Sequence, residues 1–276
     1  MNQTVEFLED KAGTLRREII KMIYTAQSGH PGGSLSMAEV AAALYFDELN
    51  IDPENPYDNG RDRVVLSKGH CCPAIYAALA MRGYYPMETL CTLRQFGSPL
   101  QGHPDMKKLP GMDMTSGSLG QGLSAACGMA YGLRDQGIDA RVFCIMGDGE
   151  LQEGQIWEAA MSAAKYKLNN LIGIVDANRL QVDGFVKDVM PVAPIEEKFK
   201  SFGWDVVSVR DGNHMKSVMD ALDLVRGMKR EGPVCIVSHT VKGKGVSFME
   251  NVAAWHGAAP DDRQYETAMQ ELGGEA

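Results

Sequence analysis

Hydrophobic residues follow two different spacings along this chain. Within residues 6–27 they recur at helical spacing, which predicts an amphipathic first helix carrying Leu8, Leu15, Ile19, Met22 and Ile23. Further along, short continuous apolar runs such as 141–146 and 171–176 indicate strands that are buried on both faces. Segments with helical spacing lie between such runs, and this alternation predicts an α/β fold.

The predicted elements form one continuous series. Strands are predicted at 63–67, 141–146, 171–176, 204–209 and 234–239. The main helices are predicted at 6–27, 36–50, 73–82, 155–166 and 214–229, with a loop at 28–33 and a short helix near the carboxyl end. Five strands with helical crossovers predict a doubly wound, mostly parallel sheet with helices on both faces. Because no Pro/Ser-rich linker interrupts the series, residues 1–276 are expected to form a single domain.

Composition narrows the classes of function. Lys and Arg total 27 against 36 Asp and Glu, a net charge of −9, which argues against nucleic acid or an anionic membrane as partner. A phosphorylated ligand stays possible, because main-chain amides and a metal ion bind phosphate without a basic surface. The six cysteines include no C-x-x-C pair, and the amino end is acidic rather than a signal peptide. With no apolar stretch of membrane-spanning length, we expect a cytoplasmic protein with reduced thiols.

A glycine-flanked aspartate follows the second predicted strand, in the order Gly147, Asp148, Gly149, Glu150. Glycines let the main chain approach a phosphate closely. The next predicted strand is followed by Asn178, and a right-handed crossover places two such strands close together. We therefore expect Asp148 and Asn178 at one sheet edge, where α/β folds bind ligands. Together with a nearby main-chain carbonyl, these hard oxygen ligands suit Mg²⁺ and a diphosphate.

Histidines are concentrated in short Gly/Pro-rich loops, which hold four of the six: His30, His70, His103 and His256. A single loop histidine is most often a surface or capping residue. Four in such loops favour a catalytic site, since imidazole is the proton carrier best matched to neutral pH. His214, at a predicted helix start, is expected to cap that helix or face solvent, and His239, at a strand end, is expected to be structural.

Seven short motifs follow one another along the chain: S-G-H-P-G, L-S-K-G-H, G-H-P, G-S-L-G-Q-G, M-G-D-G-E, E-G-Q-x-W-E-A and H-G-A-A-P. Their order over nearly the whole chain resembles that of the amino-terminal, diphosphate-binding domain of transketolases. The resemblance implies thiamine diphosphate as cofactor. It also implies Mg²⁺, with Ca²⁺ or Mn²⁺ as possible substitutes.

The resemblance implies a role for individual residues. The metal ligands would be Asp148, Asn178 and the carbonyl of Leu180. The cofactor contacts would be His70, Gly117, Leu119, Gly147, Asp148, Gly149, Glu150, Asn178 and His256. His30, His103 and His256 would be catalytic, facing the reacting ketose and handling its hydroxyl protons.

The resemblance also implies an activity and a partner. The activity would be transfer of a two-carbon ketol unit from a ketose phosphate to an aldose acceptor. In the family, a second domain binds the pyrimidine ring of the cofactor, and this sequence has no room for it. We therefore expect an amino-terminal subunit that works with a separate carboxy-terminal subunit, in a heterotetramer of two plus two chains.

Several alternatives stay open. The chain could be half of another thiamine diphosphate enzyme, such as a deoxyxylulose phosphate synthase or the α subunit of a 2-oxo acid dehydrogenase. The α subunit is not expected to carry S-G-H-P-G with a downstream G-H-P, and the synthase is usually one long chain. The donor could be an unusual or sulfonated sugar, or the chain could be a non-catalytic cofactor-binding subunit. A nucleotide-binding dehydrogenase is excluded, because Gly147–Gly149 lacks the third glycine at the required spacing.

Two lysines near the carboxyl end permit two interpretations. Lys242 and Lys244 lie in a glycine-containing loop, which could close over phosphate or simply expose solvated lysines. Glu153 is expected to be an acid favoured by a helix N-terminus.

Overall fold

The computed structural model describes residues 3–274, and a five-stranded parallel sheet forms its centre. In chain order the strands are β1 (Arg63–Leu66), β2 (Val142–Gly147), β3 (Leu171–Ala177), β4 (Leu180–Gln181), β5 (Gly184–Phe185), β6 (Asp205–Val209) and β7 (Val234–His239). The sheet order is β1-β2-β3-β7-β6, whereas β4 and β5 pair as a separate antiparallel hairpin. Each of the five predicted strands is present within one residue of its expected bounds.

Ten α-helices surround the sheet in the described part of the chain. They are α1 (Val5–Ala26), α2 (Pro31–Ser36), α3 (Ala38–Ala43), α4 (Cys72–Met81), α5 (Gln121–Asp135), α6 (Gly154–Lys165), α7 (Val186–Val189), α8 (Ile195–Ser201), α9 (Met215–Gly227) and α10 (Asp262–Glu271). Short 3-10 turns at Gly69–Cys71, Gly149–Gln152 and Ala253–His256 carry or precede residues of the predicted site. No helix within residues 3–274 is long and apolar enough to cross a membrane.

Side chains that alternate along each strand are buried on opposite faces of the sheet. Phe143 and Ile145 pack with α1, α3, α4 and α9, whereas Val142, Cys144 and Met146 pack with α5 and α6. Both faces of the strands are therefore covered by helices, which explains their continuous apolar sequence. The predicted doubly wound α/β architecture is confirmed.

The region after the first helix differs from its prediction. Helix α2 begins at Pro31, inside the predicted loop 28–33, because proline at the first helical position costs no hydrogen bond. Its glycines serve close packing rather than a turn: a Cβ on Gly33 would lie 2.6 Å from Cys71 Sγ. The predicted helix 36–50 is divided between α2, α3 and a π-helical turn at Leu44–Glu48.

The segment after β3 contains three short elements that hydrophobic spacing did not predict. They are the β4–β5 hairpin and helices α7 and α8, of two to seven residues each. Such lengths are too short for a periodic pattern to identify. They lie at the carboxyl end of β3, beside the predicted ligand-binding edge.

Candidate active site

A cavity of about 180 Å³ lies at the carboxyl ends of β1, β2 and β3. Parallel pairing of β2 with β3 aligns Gly147 with Asp176, so the loops that follow both strands leave the sheet at one level. Nine predicted site residues line this cavity: His70, Leu119, Gly147, Asp148, Gly149, Glu150, Asn178, Leu180 and His256. The predicted convergence of two distant loops at one sheet edge is therefore observed.

The remaining predicted site residues adjoin the cavity. A Cβ on Gly117 would lie 3.6 Å from Cγ of His103, and the ring centre of His103 lies 6.4 Å from that of His30. The ring of His30 is in turn 5.2 Å from that of His70 and 5.5 Å from that of His256. The four loop histidines therefore form a single group, the histidine cluster.

Asp148 is buried between the two loops that end β2 and β3. Its Oδ1 accepts the N–H of Gly149 at 2.9 Å, and its Oδ2 accepts the N–H of Arg179 at 2.6 Å. The carboxylate makes no ion pair within residues 3–274. Burial, followed by the nearby charge of Asp176, raises the pKa of Asp148 to about 6. The loops therefore hold a buried carboxylate with main-chain donors alone.

Asn178 is oriented by a neighbouring carboxylate that sequence reasoning did not identify. The amide nitrogen of Asn178 donates to Asp176 Oδ2 at 2.8 Å, and its Oδ1 accepts the N–H of Leu180 at 3.1 Å. Asp176 also accepts hydrogen bonds from the hydroxyls of Ser36 and Thr240. The two hydrogen bonds of the Asn178 amide therefore orient its nitrogen toward Asp176 and its oxygen away from it.

Lys68 completes this buried network from the end of β1. Its Nζ lies 2.5 Å from Asp176 Oδ2 and donates to the carbonyl of Gly33 at 3.1 Å. Both side chains of the ion pair are at most 3% exposed. The attraction of Lys68 outweighs burial and lowers the pKa of Asp176. The only sequence signal was a lysine and an aspartate at the carboxyl ends of two strands, which is too weak to predict a pair.

Glu150 connects three segments of the cavity wall. Its buried carboxylate accepts the hydroxyl of Ser67, the N–H of Gly120 at 2.8 Å and the N–H of Gly147 at 3.0 Å. Burial raises the pKa of Glu150. Since both oxygens are already engaged, this carboxylate holds the ends of β1 and β2 and the start of α5 in register.

Histidines of the cluster have lowered pKa values. Burial is the main cause, and nearby cations and imidazoles add to it. The pKa is lowered to about 4 for His30 and His256 and to about 2 for His70. His103 shifts in the same direction, through burial and the charge of Arg94. The cluster is therefore neutral near pH 7, when its members can both donate and accept hydrogen bonds.

Lys242 is buried in the cavity wall rather than solvated. Its Nζ donates to the carbonyl of Leu180 at 3.0 Å and lies 2.7 Å from Nδ1 of His256. Burial lowers the pKa of Lys242 to about 8. Lys244, by contrast, is half-exposed and pairs with Glu250 at 3.2 Å. The two lysines therefore differ in position, and of the two only Lys242 lines the site.

The two other histidines lie outside this site. His214 stands at the start of α9, with Nδ1 3.0 Å from the hydroxyl of Ser217. His239 ends β7 and pairs with Glu196 at 2.9 Å. Neither lines the cavity with the histidine cluster.

The residues of the cavity can hold a metal-bound diphosphate. Asp148, Asn178 and the carbonyl of Leu180 offer three hard oxygen donors, a set that suits a divalent cation. Asp148 also lacks a cationic partner within the described residues, so the chemistry of this donor set fits such a cation. Comparison with known proteins agrees on the diphosphate. Residues 9–276 match the family described as transketolase, thiamine diphosphate binding domain.

The chain belongs to the transketolase family.

Related subunits of similar length exist in bacteria. The chain is 44% identical over 265 residues to the 6-deoxy-6-sulfo-D-fructose transketolase subunit of Clostridium sp. (strain MSTE9), covering 96% of each chain. It is 41% identical over 268 residues to an apulose-4-phosphate transketolase subunit of Phocaeicola vulgatus, covering 97% of this transketolase chain and 94% of that one.

Single-chain transketolases are longer. The chain is 38% identical to human transketolase over 271 residues, which cover 98% of this chain and 42% of that protein. The structure of the Leishmania mexicana enzyme matches with a TM-score of 0.93 at 29% identity, over 100% of this chain and 42% of that one. The chain therefore corresponds to the thiamine diphosphate-binding domain of these enzymes.

Proposed function

We propose that this chain is the diphosphate-binding subunit of a two-chain transketolase, in which residues 1–276 act as one domain. The reaction would transfer a two-carbon ketol unit from a ketose phosphate to an aldose acceptor. The observation that carries the proposal is the histidine cluster, which adjoins a cavity with three hard oxygen donors. An unusual donor, such as a sulfonated sugar, is the second candidate, favoured by the 44% identity to the sulfofructose transketolase subunit.

Asp148, Asn178 and the carbonyl of Leu180 would hold Mg²⁺, which in turn would hold the diphosphate. In the structure this carbonyl accepts Lys242 Nζ, so a metal ion bound there would compete with that hydrogen bond. The Asp176 carboxylate would keep the amide oxygen of Asn178 directed away from itself, since it already accepts the amide nitrogen. The buried charge of Lys68 would compensate that carboxylate.

The cofactor would lie along the cavity wall. Gly147 and Gly149 would let the main chain approach the diphosphate, with His70 as a side-chain contact. Gly117 and Leu119 would lie beside the rings. Glu150 would act mainly by holding these loops in place, because its oxygens are engaged by their N–H groups.

Bound thiamine diphosphate supplies an electron sink for cleavage of the carbon–carbon bond next to the ketose carbonyl. The chain's own contribution would come from His30, His103 and His256. As neutral imidazoles they would hydrogen-bond the carbonyl and hydroxyl oxygens of the sugar, and a lone pair among them would take the hydroxyl proton released on cleavage. His256 would also contact the diphosphate side of the cofactor.

A separate carboxy-terminal subunit would complete the site by supplying the pyrimidine-binding domain. Both bacterial relatives are named as transketolase subunits, which supports this. We propose a heterotetramer of two plus two chains with sugar phosphate substrates. A cytoplasmic location is proposed as well, supported by six free thiols and by the acidic composition.

The first test is affinity purification of the chain from its source, followed by mass spectrometry of any companion chain. The purified pair is then assayed with a panel of donors: fructose 6-phosphate, xylulose 5-phosphate, 6-deoxy-6-sulfofructose and apulose 4-phosphate. Ketol transfer with one of these supports the proposal and names the donor. An intact pair that binds thiamine diphosphate but transfers nothing would point to a non-catalytic subunit.

The Asp148→Asn variant tests the metal site. Because asparagine keeps the shape but removes the charge, calorimetric titration of the assembled protein should show at least about tenfold weaker Mg²⁺-dependent binding of thiamine diphosphate. Asp135→Asn, exposed at the carboxyl end of α5 and outside the cavity lining, is the control and should bind like the parent protein. Unchanged binding in Asp148→Asn would remove Asp148 from the ligand set.

A further inference from the structure

Arg94 connects two loops of the histidine cluster. Its guanidinium donates to the hydroxyl of Ser28 at 3.2 Å and to the carbonyl of Gly102 at 3.4 Å. Nη2 of the same group lies 3.3 Å from Nδ1 of His30. The packing is close, since a Cβ on Gly102 would lie 2.8 Å from Arg94 Cζ. The guanidinium is therefore held between the loop of His30 and the loop that continues to His103.

The main chain at Arg94 is held in an uncommon conformation. Its φ of +60° is in the left-handed region, which is unfavourable for a residue with a Cβ. The N–H of Arg94 donates to the carbonyl of Leu100 at 2.8 Å, which helps to hold this turn. Strained residues of this kind concentrate at functional sites. Here the conformation directs a permanent cation at one nitrogen of His30.

A guanidinium carries donors alone and stays charged, so the ring nitrogen that faces it must accept. A neutral imidazole whose Nδ1 accepts carries its proton on Nε2. We propose that Arg94 is a positioning residue that holds His30 in the Nε2–H tautomer, so that His30 serves the substrate as a hydrogen-bond donor and not as a base. The statement about the substrate rests on the proposed ketol transfer, whereas the tautomer does not.

The surroundings of His30 agree with this assignment. The groups that face the ring are Arg94, Lys242 and the other three imidazoles of the cluster. Burial first, then Arg94, lowers the pKa of His30 to about 4, so the ring is neutral near pH 7. Nε2 has no hydrogen-bond partner within residues 3–274 and lies on the side of Gly257, where a Cβ would be 3.4 Å away. The Nε2–H of His30 is therefore available to donate a hydrogen bond to a ligand.

The histidines of the cluster would therefore have different roles, with His30 as a hydrogen-bond donor and another histidine as the proton acceptor. The lone pair of His30 is on Nδ1 and faces a cation, so it is shielded from substrate. The proton released from a substrate hydroxyl must then pass to another acceptor, and His103 is a neutral imidazole of the same cluster. His30 is left to stabilise negative charge that develops on a substrate oxygen.

Nitrogen-15 spectra of the full chain with only histidine labelled test the tautomer, using the assembly in which the chain purifies. Loss of a signal in His30→Gln assigns the His30 ring. In the parent protein at pH 7, His30 should show an unprotonated Nδ1 and a protonated Nε2.

In Arg94→Met the two tautomers should mix and the pKa of His30 should rise by about one unit, with burial still lowering it. Arg94→Gln, whose amide still donates, should keep the tautomer but raise the pKa.

The control is Arg263→Met, since Arg263 is exposed on α10 and makes no side-chain hydrogen bond within the described residues. Its His30 signals should match those of the parent protein. A protonated Nδ1 in the parent, or identical His30 signals in Arg94→Met and the parent, would overturn the proposal. Should Arg94→Met lose its fold, the parent spectrum and Arg94→Gln still decide. Failure of ketol transfer alone leaves these spectra unaffected, so the two proposals are tested separately.

Discussion

At the scale of single residues, the Lys68–Asp176 pair differs in kind from the ion pairs on the surface. Both of its charges are almost completely buried, and each is satisfied by the other and by neighbouring donors and acceptors. Removing one partner leaves a charge in a medium that solvates it poorly. The pair therefore couples the ends of β1 and β3 energetically, directly beneath the cavity.

Single and double substitutions of this pair should reveal that coupling. We expect Lys68→Met to lower the free energy of unfolding by about 3–5 kcal/mol, and Asp176→Leu by a similar amount. The double variant should lose clearly less than the sum, because it leaves no unpaired charge. Urea unfolding measures all three. Lys216→Met, which breaks an exposed pair with Asp220, is the control and should change stability by less than about 0.5 kcal/mol. Additive losses at Lys68 and Asp176 would show that the pair is not coupled.

Because the buried histidines are neutral, we expect the folded chain to lose stability as the pH falls. His70 should contribute most clearly to this loss. Its pKa is about 2 in the folded chain, against about 6.5 in an unfolded one. The unfolded chain therefore binds the proton first, so this contribution to stability is complete above pH 6.5 and is lost as the pH falls. His70→Gln should reduce the slope of stability against pH between 6.5 and 4, by at most about 1.4 kcal/mol per pH unit. Gln270→Asn, an exposed substitution on α10 that neither adds nor removes a titratable group, is the control and should leave the slope unchanged. Equal slopes in His70→Gln and the parent protein would contradict the shift.

Residues of the site differ in how far the sequence predicts them. Asp148 and Asn178 were placed correctly because each directly follows a strand, and parallel strands end at a common edge. Arg94, Lys68 and Asp176 were missed, because their partners lie far away in sequence and depend on how loops pack. A long side chain reaches several directions from one main-chain position, so its contacts do not follow from strand order.

At the scale of elements, helix α2 shows that the structural effect of a glycine depends on what lies next to it. Gly33 lies in this buried helix, against Cys71 of the 3-10 turn that carries His70. Its missing side chain allows the two segments to approach. Gly128, in α5, has open space where a Cβ would be. A sequence alone presents both as glycines in or near helices, which is why the start of α2 was predicted as a loop.

These two glycines should respond in opposite directions to alanine. Gly33→Ala places a Cβ 2.6 Å from a buried sulfur and should cost about 1–3 kcal/mol of unfolding free energy. Gly128→Ala adds helix propensity without a contact and should stabilise the chain by up to about 1 kcal/mol. Adding Cys71→Ala to Gly33→Ala should recover part of the loss, since it removes the clashing atom. Thermal unfolding monitored by circular dichroism distinguishes these results, and a neutral Gly33→Ala would mean that the helix shifts without strain.

At the scale of the whole molecule, the five strands and their parallel arrangement could be predicted, because buried apolar runs alternate with helices along the chain. The strand order β1-β2-β3-β7-β6 does not follow from that pattern. The surface could not be predicted in the same way, because exposure depends on which short elements follow β3. Hairpin β4–β5 and helix α7 expose four apolar side chains, each between 41% and 62%: Val182, Phe185, Val189 and Met190. Val182 also lines the cavity. A chain whose site needs a second subunit would present such a surface at the edge of that site.

Hydrogen exchange of this chain, by itself and with the proposed carboxy-terminal subunit, tests this last point. If the partner closes the cavity over the hairpin, amides in 180–190 should exchange at least about tenfold more slowly in the assembly, since buried and bonded amides open rarely. Helix α9 provides the control. Its Leu224 is 55% exposed, but the helix packs on the opposite face of the sheet, so its exchange should stay the same. Slower exchange in α9 without slower exchange in 180–190 would indicate that the partner binds the face of the sheet that carries α9. The cavity would then have to be completed from elsewhere.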